Sequence, residues 1–466
     1  MALVASLWLV AACSAGTEAT TTISVAPTPA TTTSQDTTTT TARTFAGLFG
    51  EAPDVPVGPL SDEAIAAVDA IFDRLDRPIA ASQLRALADA GDARLVWVLA
   101  DLLRFSTVPS VNDAAVEAAS ELTGVEFSGP VPWVGISDHL IAWDLPAFPG
   151  YVFYKQRLYT FIEPRWDFLF STPNDIDYRL LSWGGVRPDD RPFGDTEPCP
   201  LGCIPALDGP AVTPASAGDW YPDDRIVFGV EIDGEARAYP KNIMEVHEMV
   251  NDTLGGRDFG LPYCTLCGSA QLFFTDGVAG FDRPILRTSG LLSRSNKVMY
   301  DLVTESVFDT FMGRAISGPL FEAGVTLPQG SVVVSTWGDW KAEHPDTTIV
   351  AQDGGIGRAY GLDPLGGRDD QGPIFPIGDR DLRLPVQAQV LGVIATVGTP
   401  IAFPATAARE RLETGEAVEL DGVSLELDGS GLVAFENGEP IASHQAFWFA
   451  WSQFHPDTLL WIPTDG

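Results

Sequence analysis

The sequence predicts a mainly β protein of the α+β kind, in which a small α-helical unit precedes two pseudo-repeated β-rich halves. Three observations carry that prediction. A helical pattern over residues 57–127 gives way after 128 to short alternating runs rich in Gly, Pro and Trp. No chain of strand–helix–strand units follows, which disfavours a doubly wound parallel sheet. Three segments of the later chain also recur, in the same order, further along.

At 466 residues, 45% of them hydrophobic, the chain exceeds the usual size of one domain and can build real cores. With 63 acidic against 28 basic residues the net charge is −35. Such a surface repels phosphate backbones, so no nucleic-acid partner is expected.

The first thirteen residues, MALVASLWLVAAC, form a short apolar run ending in Val10-Ala11-Ala12-Cys13. Small residues before a cysteine resemble a bacterial lipoprotein signal, with residues 1–13 as signal and lipobox and Cys13 as the lipidated residue. The run falls short of the roughly 20 apolar residues that span a bilayer. No Lys or Arg precedes it, which points to a start upstream of Met1. Residues 14–56 follow as a Thr/Pro-rich linker that reads as an extended tether. The expectation is an extracytoplasmic lipoprotein with the membrane as a partner through its lipid anchor.

Residues 57–128 form the helical unit. Ser61 is placed to cap SDEAIAAVDAIFDRLDR, with acids in the first turn and an apolar residue every three to four. Two more helices are broken at Ala90-Gly91-Asp92, and Gly124 closes another. Short paired helices of this kind resemble a HEAT-like fragment, an accessory packing or docking unit.

In the β-rich domain, 129–466, RIVFGVEIDGEARAYP alternates about an Asp-Gly turn and reads as a hairpin. Its GVEIDGEARAYP (229–240) resembles GVIATVGTPIAFP (392–404), GSAQLFFTDG (268–277) resembles GSGLVAFENG (429–438), and WKAEHPDTTIV (340–350) resembles WSQFHPDTLLW (451–461). The halves run over about 220–355 and 385–463. Residues held by both are read as needed by the fold, and residues in one half only are free to serve chemistry. His344 and His455, in the shared His-Pro-Asp-Thr, are therefore structural. Aligning Gly268 with Gly429 sets Leu425 opposite Cys264, Asp428 opposite Cys267, and Ala408 roughly opposite His247.

The stretches IPALDGP, VFGVEIDGEARAYPKNIMEVHEMVNDTLGG, LPYCTLCGSAQLF, TSGLLSRSNKVMYD and FWFAWSQFHPDT together resemble the bacterial domain-of-unknown-function 3179 family, over roughly 130–463. The resemblance implies an exported or lipid-anchored protein of unassigned activity. Some members carry selenocysteine in the motif matching Cys264 and Cys267, which implies redox work there. The motif also matches His247, Glu248, Asn251 and Asp252. Cys199 and Cys203, in EPCPLGCIP, are not a feature of the family, so nothing carries over to them.

The residues themselves leave three readings of the cysteines open. A Cys264-x-x-Cys267 dithiol can act as a thiol–disulfide oxidoreductase, given a lowered thiol pKa and a redox protein partner; no cofactor is required. GSAQLFF after the pair reads as a strand, so a helix dipole is missing and His247 is the natural cation to tune the thiolate. Alternatively, strand, Cys-x-x-Cys-Gly and returning strand have the shape of a zinc knuckle. Cys199 and Cys203 would then complete a zinc or copper site, or His247 would be the third ligand. The third reading is two local disulfides outside the cytoplasm, with no chemistry beyond a small stabilisation. Glu248, Asn251 and Asp252 form a candidate acid–base cluster with His247, or a helix end. Ser295 and Asn296 lie in a polar loop that lines a pocket or is plain surface. A cell-envelope binding scaffold is the remaining class. No phosphate loop, Rossmann fingerprint or nucleophile elbow is present.

Overall fold

The first helix starts where its cap residue dictates. In the computed structural model, which describes residues 48–199, 202–368 and 372–463, Ser61 Oγ accepts the Ala64 N–H at 3.1 Å and opens the helix Asp62–Phe72. That helix buries Ala64, Ala67, Val68, Ile71 and Phe72, one stripe at helical spacing. The break at Ala90-Gly91-Asp92 is real: Ala81–Asp89 ends there, and the Asp92 carboxylate caps a 3₁₀ turn leading into Val96–Phe105. Gly124, left-handed at φ +72°, closes Pro109–Thr123. Cys13 and most of the Thr/Pro linker lie outside the described residues.

The helical part does not stop at 128. Pro132–Ala142, Tyr151–Ile162 and the 3₁₀ segment Pro164–Phe170 extend it. The Pro and Gly that mark the change of sequence pattern are helix punctuation here. Pro132 stands in a first turn, where its missing N–H costs nothing, and Gly150 is a left-handed N-cap. These helices share one apolar core with Leu181, Leu291, Val298, Tyr300 and Val307, residues of a β-sheet region. The helical layer therefore covers one face of that sheet, and both belong to one unit.

The rest is β-rich, with five small sheets. The sheet under the helices orders Leu181–Trp183, Leu286–Ser293, Asn296–Asp301 and Val307–Asp309, all antiparallel. A second is built on the hairpin Met249–Leu254 and Arg257–Cys264. The third contains the expected Asp-Gly hairpin. Ile226–Ile232 pairs with Glu235–Pro240, and Asp233 and Gly234 both turn at positive φ, 50° and 81°. Its order is Val333–Thr336, Ile226–Ile232, Glu235–Pro240, Thr348–Val350 and Val212–Pro214. The fourth orders Ser443–Phe447, Gln389–Ile394, Pro400–Pro404 and Leu459–Leu460. Its three pairings, antiparallel, antiparallel and parallel, repeat those of the first four strands of the third. The fifth is an antiparallel meander ending in Glu439–Ile441.

Two glycines explain why the third and fourth sheets tolerate so much tryptophan. A Cβ on Gly229 would stand 2.3 Å from the Trp340 ring, and one on Gly392 would stand 2.1 Å from Trp451. Each indole lies flat on a strand where a side chain has been omitted, and donates Nε1–H to a threonine hydroxyl, Thr347 at 3.0 Å or Thr458 at 2.9 Å. The His-Pro-Asp-Thr motif supplies those threonines, and its His344 and His455 rings sit 4.0 and 4.2 Å from the same indoles.

Candidate functional site

The strand Arg257–Cys264 ends in a cysteine because the chain must then turn sharply. Thr265–Cys267 makes one 3₁₀ turn, Gly268 is left-handed at φ +58°, and Ser269–Ala270 folds back onto Tyr263 and Cys264. No α-helix begins here, as the alternation of GSAQLFF predicts. Cys264 and Cys267 are joined in a disulfide. Both are buried, at 3% and 0% exposure, in an apolar cluster with Phe311, Phe447, Trp448 and Trp451.

The residues between the two cysteines reach a neighbouring cleft, although Leu266 also packs on that cluster. Thr265 and Leu266 line a cleft of about 260 Å³, together with Ile204, Glu245, Glu248 and Lys297. Its polar centre is an ion pair, with Lys297 Nζ 2.7 Å from Glu248 Oε2. Lys297 also donates to the Glu248 carbonyl at 2.8 Å, and Thr265 Oγ1 donates to Glu248 Oε1 at 2.9 Å. Glu248 thus links the buried ammonium to the turn that holds the disulfide. It does so as the left-handed cap of the helix Lys241–His247, at φ +51°, a conformation that costs a non-glycine residue about 1 kcal/mol. Burial pushes the Lys297 pKa down, and the Glu248 carboxylate opposes that shift without cancelling it.

Lys297 stands on a two-residue hairpin whose tip, Arg294 and Ser295, has positive φ at both positions, 49° and 68°. The tip is tucked inward: Ser295 and Asn296 are both fully buried. The Ser295 carbonyl oxygen lies 3.5 Å from Cys267 Sγ. Ser295 Oγ and Asn296 Oδ1 have no hydrogen-bond partner among the described residues. From the stretch 289–301 the cleft takes Gly290, Leu291, Leu292, Lys297 and Val298, whereas Ser295 and Asn296 are buried and are not part of its lining.

The remaining candidates are placed elsewhere. His247 ends the helix Lys241–His247 and uses both ring nitrogens, Nδ1 on the Pro205 carbonyl and Nε2 on the Tyr360 hydroxyl, each at 2.7 Å. A carbonyl only accepts, so Nδ1 carries the proton and Nε2 accepts from Tyr360. Burial takes the His247 pKa down to about 4, so the ring is neutral at neutral pH. Asn251 bonds Asp208 at 2.8 Å and both backbone groups of Leu286. Asp252 takes Arg237 at 2.6 Å and the Tyr239 hydroxyl at 2.7 Å. These two residues brace strands, and only Glu248 of that motif reaches the cleft.

The four remaining cysteines form two separate pairs. Cys199 and Cys203 are bonded to each other, half-buried beside Asp189. Asp189, Cys199 and Cys203 are the one group among the described residues whose potential metal-ligand atoms converge, within 4.8 Å of one another. Asp189 is already held by Arg191 at 2.7 Å and by the Ala206 N–H at 2.7 Å. Two guanidiniums, Arg191 and fully buried Arg287, add positive charge there.

Residues 201–421 match the family described as protein of unknown function (DUF3179). The chain belongs to that family. No curated protein and no solved structure matches it. The matched stretch of this DUF3179 chain contains both Cys264–Cys267 and the Glu248–Lys297 pair, while Cys199 falls outside it. Sequence reasoning missed Lys297 and Thr265. A usable signal existed: the chain has only four lysines, and two of them, Lys241 and Lys297, lie inside quoted family stretches.

Proposed function

We propose that the protein is a thiol–disulfide redox protein of the cell envelope, working at Cys264 and Cys267. The observation that carries the reading is the bonded pair whose two intervening residues form the wall of a cleft with a buried ion pair. A partner thiolate attacks Sγ of Cys264, the less buried of the two residues, forming a mixed disulfide and releasing Cys267 as a thiolate. The partner's second thiol then resolves the mixed disulfide. Two electrons and two protons pass to this chain, and the partner leaves oxidised. Lys297 supplies the positive charge that favours a thiolate, a part that neutral His247 is poorly suited to. His247 instead holds the 203–206 segment and Tyr360 in place.

The two β-rich halves are read as a duplication, supported by the shared strand order of the third and fourth sheets and by the Gly229–Trp340 and Gly392–Trp451 contacts. The short helices are read as a HEAT-like cover, supported by their packing on the sheet that bears Lys297. Location at the membrane through Cys13 is supported by the lipobox-like run; among the described residues no helix is long and apolar enough to cross a membrane. Cys13→Ala should release the protein from the membrane fraction.

The decisive experiment is dithiol–disulfide exchange with a reduced model dithiol, together with the pH dependence of Cys264 alkylation. The expected alkylation midpoint lies below the ordinary thiol value near 8.5, and Lys297→Met raises it by about one unit. Full exchange activity in Cys264→Ser would sink the reading. A second reading rests on Asp189, Cys199 and Cys203, which in the reduced state offer a carboxylate and two thiolates to zinc or copper. Near-stoichiometric metal in anaerobically purified protein, lost in Cys203→Ser, would favour it.

A further inference from the structure

A second cleft, of about 250 Å³, lies on the other side of the Cys264–Cys267 turn. Tyr263 and Gly268, the residues flanking that turn, stand in its wall, with strands of the third and fourth sheets around them. It is walled in part by apolar surface, including Phe228, Val334 and Phe447. Gly268 is required at this wall, because a Cβ there would stand 2.9 Å from Gln389 Nε2 and 3.0 Å from the Phe447 ring.

Two polar side chains in this cleft carry unused hydrogen-bonding groups. Arg409, half-buried, donates Nη1–H to the Ser430 carbonyl at 3.2 Å and has no carboxylate partner among the described residues. Gln445 is 7% exposed, lines the same cleft, and its amide makes no hydrogen bond among the described residues. Its amide is not among the buried polar atoms that lack a partner, so it opens to the cleft and is free to bond a ligand there. The other charges nearby are already engaged. Lys241 pairs with Glu245, and the Asp339 carboxylate accepts from the Thr336 hydroxyl at 2.6 Å.

We propose that this cleft binds a small carboxylate with an apolar body. The carboxylate takes the unused N–H groups of Arg409 and the amide N–H of Gln445, in the planar geometry a guanidinium favours. The body lies against Phe228, Val334 and Phe447. The volume admits about a dozen heavy atoms, the scale of an arylalkyl acid and well below a nucleotide or peptide. The site is independent of any redox step at Cys264 and Cys267.

The test is calorimetric titration of the full chain with 3-phenylpropionate, with 3-phenylpropanamide as its uncharged isostere. The expected result is that the acid binds at least about tenfold more tightly than the amide. Arg409→Gln should erase that preference, and Gln445→Leu should weaken the acid by about threefold to tenfold. Thermal unfolding of both variants verifies that they fold; should one fail to, the other decides. Equal affinity for acid and amide, unchanged acid binding in a folded variant, or no binding of the acid at millimolar concentration would overturn the proposal.

Discussion

The third and fourth sheets have the same strand order, the same glycine under a tryptophan and the same His-Pro-Asp-Thr turn, yet they serve different ends. Around the third, the chain carries a bonded cysteine pair and a long excursion with the hairpin that holds Lys297. In the aligned positions near the fourth stand Leu425, which is buried, and Asp428, whose carboxylate is 2.7 Å from His344 Nε2. A strand end and turn of this shape thus forms with an aliphatic residue and a hydrogen-bonded carboxylate where the cysteines sit. On the proposed duplication, the disulfide is an addition to a framework that packs without it, which favours a reason other than folding.

The comparison can be broken or sharpened by experiment. The largest expected effect is on acid stability. His247 and His455 are held at pKa about 4 and His444 at about 3, by burial in each case, with His455 further depressing His444. An unfolded histidine protonates near 6.5 whereas these resist to about 4, so the unfolded chain binds more protons in between. Stability from these groups is full above pH 6.5 and is lost as pH falls toward 4, by on the order of 2 kcal/mol per imidazole. Urea midpoints between pH 7 and 4.5 measure it, and His455→Gln should remove about a third of the slope. An unchanged slope would show that the fourth-sheet histidine is not buried neutral.

Next comes the ion pair that the third-sheet side alone possesses. Lys297→Met leaves the Glu248 carboxylate without its cation and should cost about 3 kcal/mol, while Lys297→Met with Glu248→Gln should regain most of that. Additive losses in the double-mutant cycle would show that the two groups do not act as a pair. The glycines test the shared framework. Gly229→Ala and Gly392→Ala each force a methyl into an indole and should each cost about 2 kcal/mol in denaturant unfolding. If only one variant is destabilised, the equivalence of the two sheets fails. The smallest effect should be on the cysteines. Reducing the Cys264–Cys267 disulfide in the intact chain opens a very short loop and should cost no more than about 2 kcal/mol. A much larger loss would mean that the disulfide is structural and that Leu425 and Asp428 mislead as a comparison.

Much of this was legible in the order of residues because it is local. A serine cap, a left-handed glycine after a helix, an Asp-Gly hairpin and a strand end at Cys-x-x-Cys-Gly all depend on neighbours a few positions away, and each stands where its signal places it. The recurrence of Gly, Trp and His-Pro-Asp-Thr also marks a real packing unit, since indole, glycine and threonine contact one another twice over. The end of the helical part was misjudged because Pro and Gly open helices as readily as they end them. Residues 132–170 show this.

What the tertiary structure alone decided is which distant polar groups meet. Glu248 and Lys297 are 49 residues apart, His247 and Tyr360 are 113 apart, and Ser295 approaches Cys267 across 28. No spacing rule reaches such distances. A buried charge or donor takes whichever partner the packed sheets bring within about 3 Å, because leaving it unpaired costs more than any local preference can supply. The sequence by itself determined the strands, the turn and the cysteines. The folding of hairpin 286–301 against that turn, under the helices, decided that Lys297 and not His247 shares its cleft.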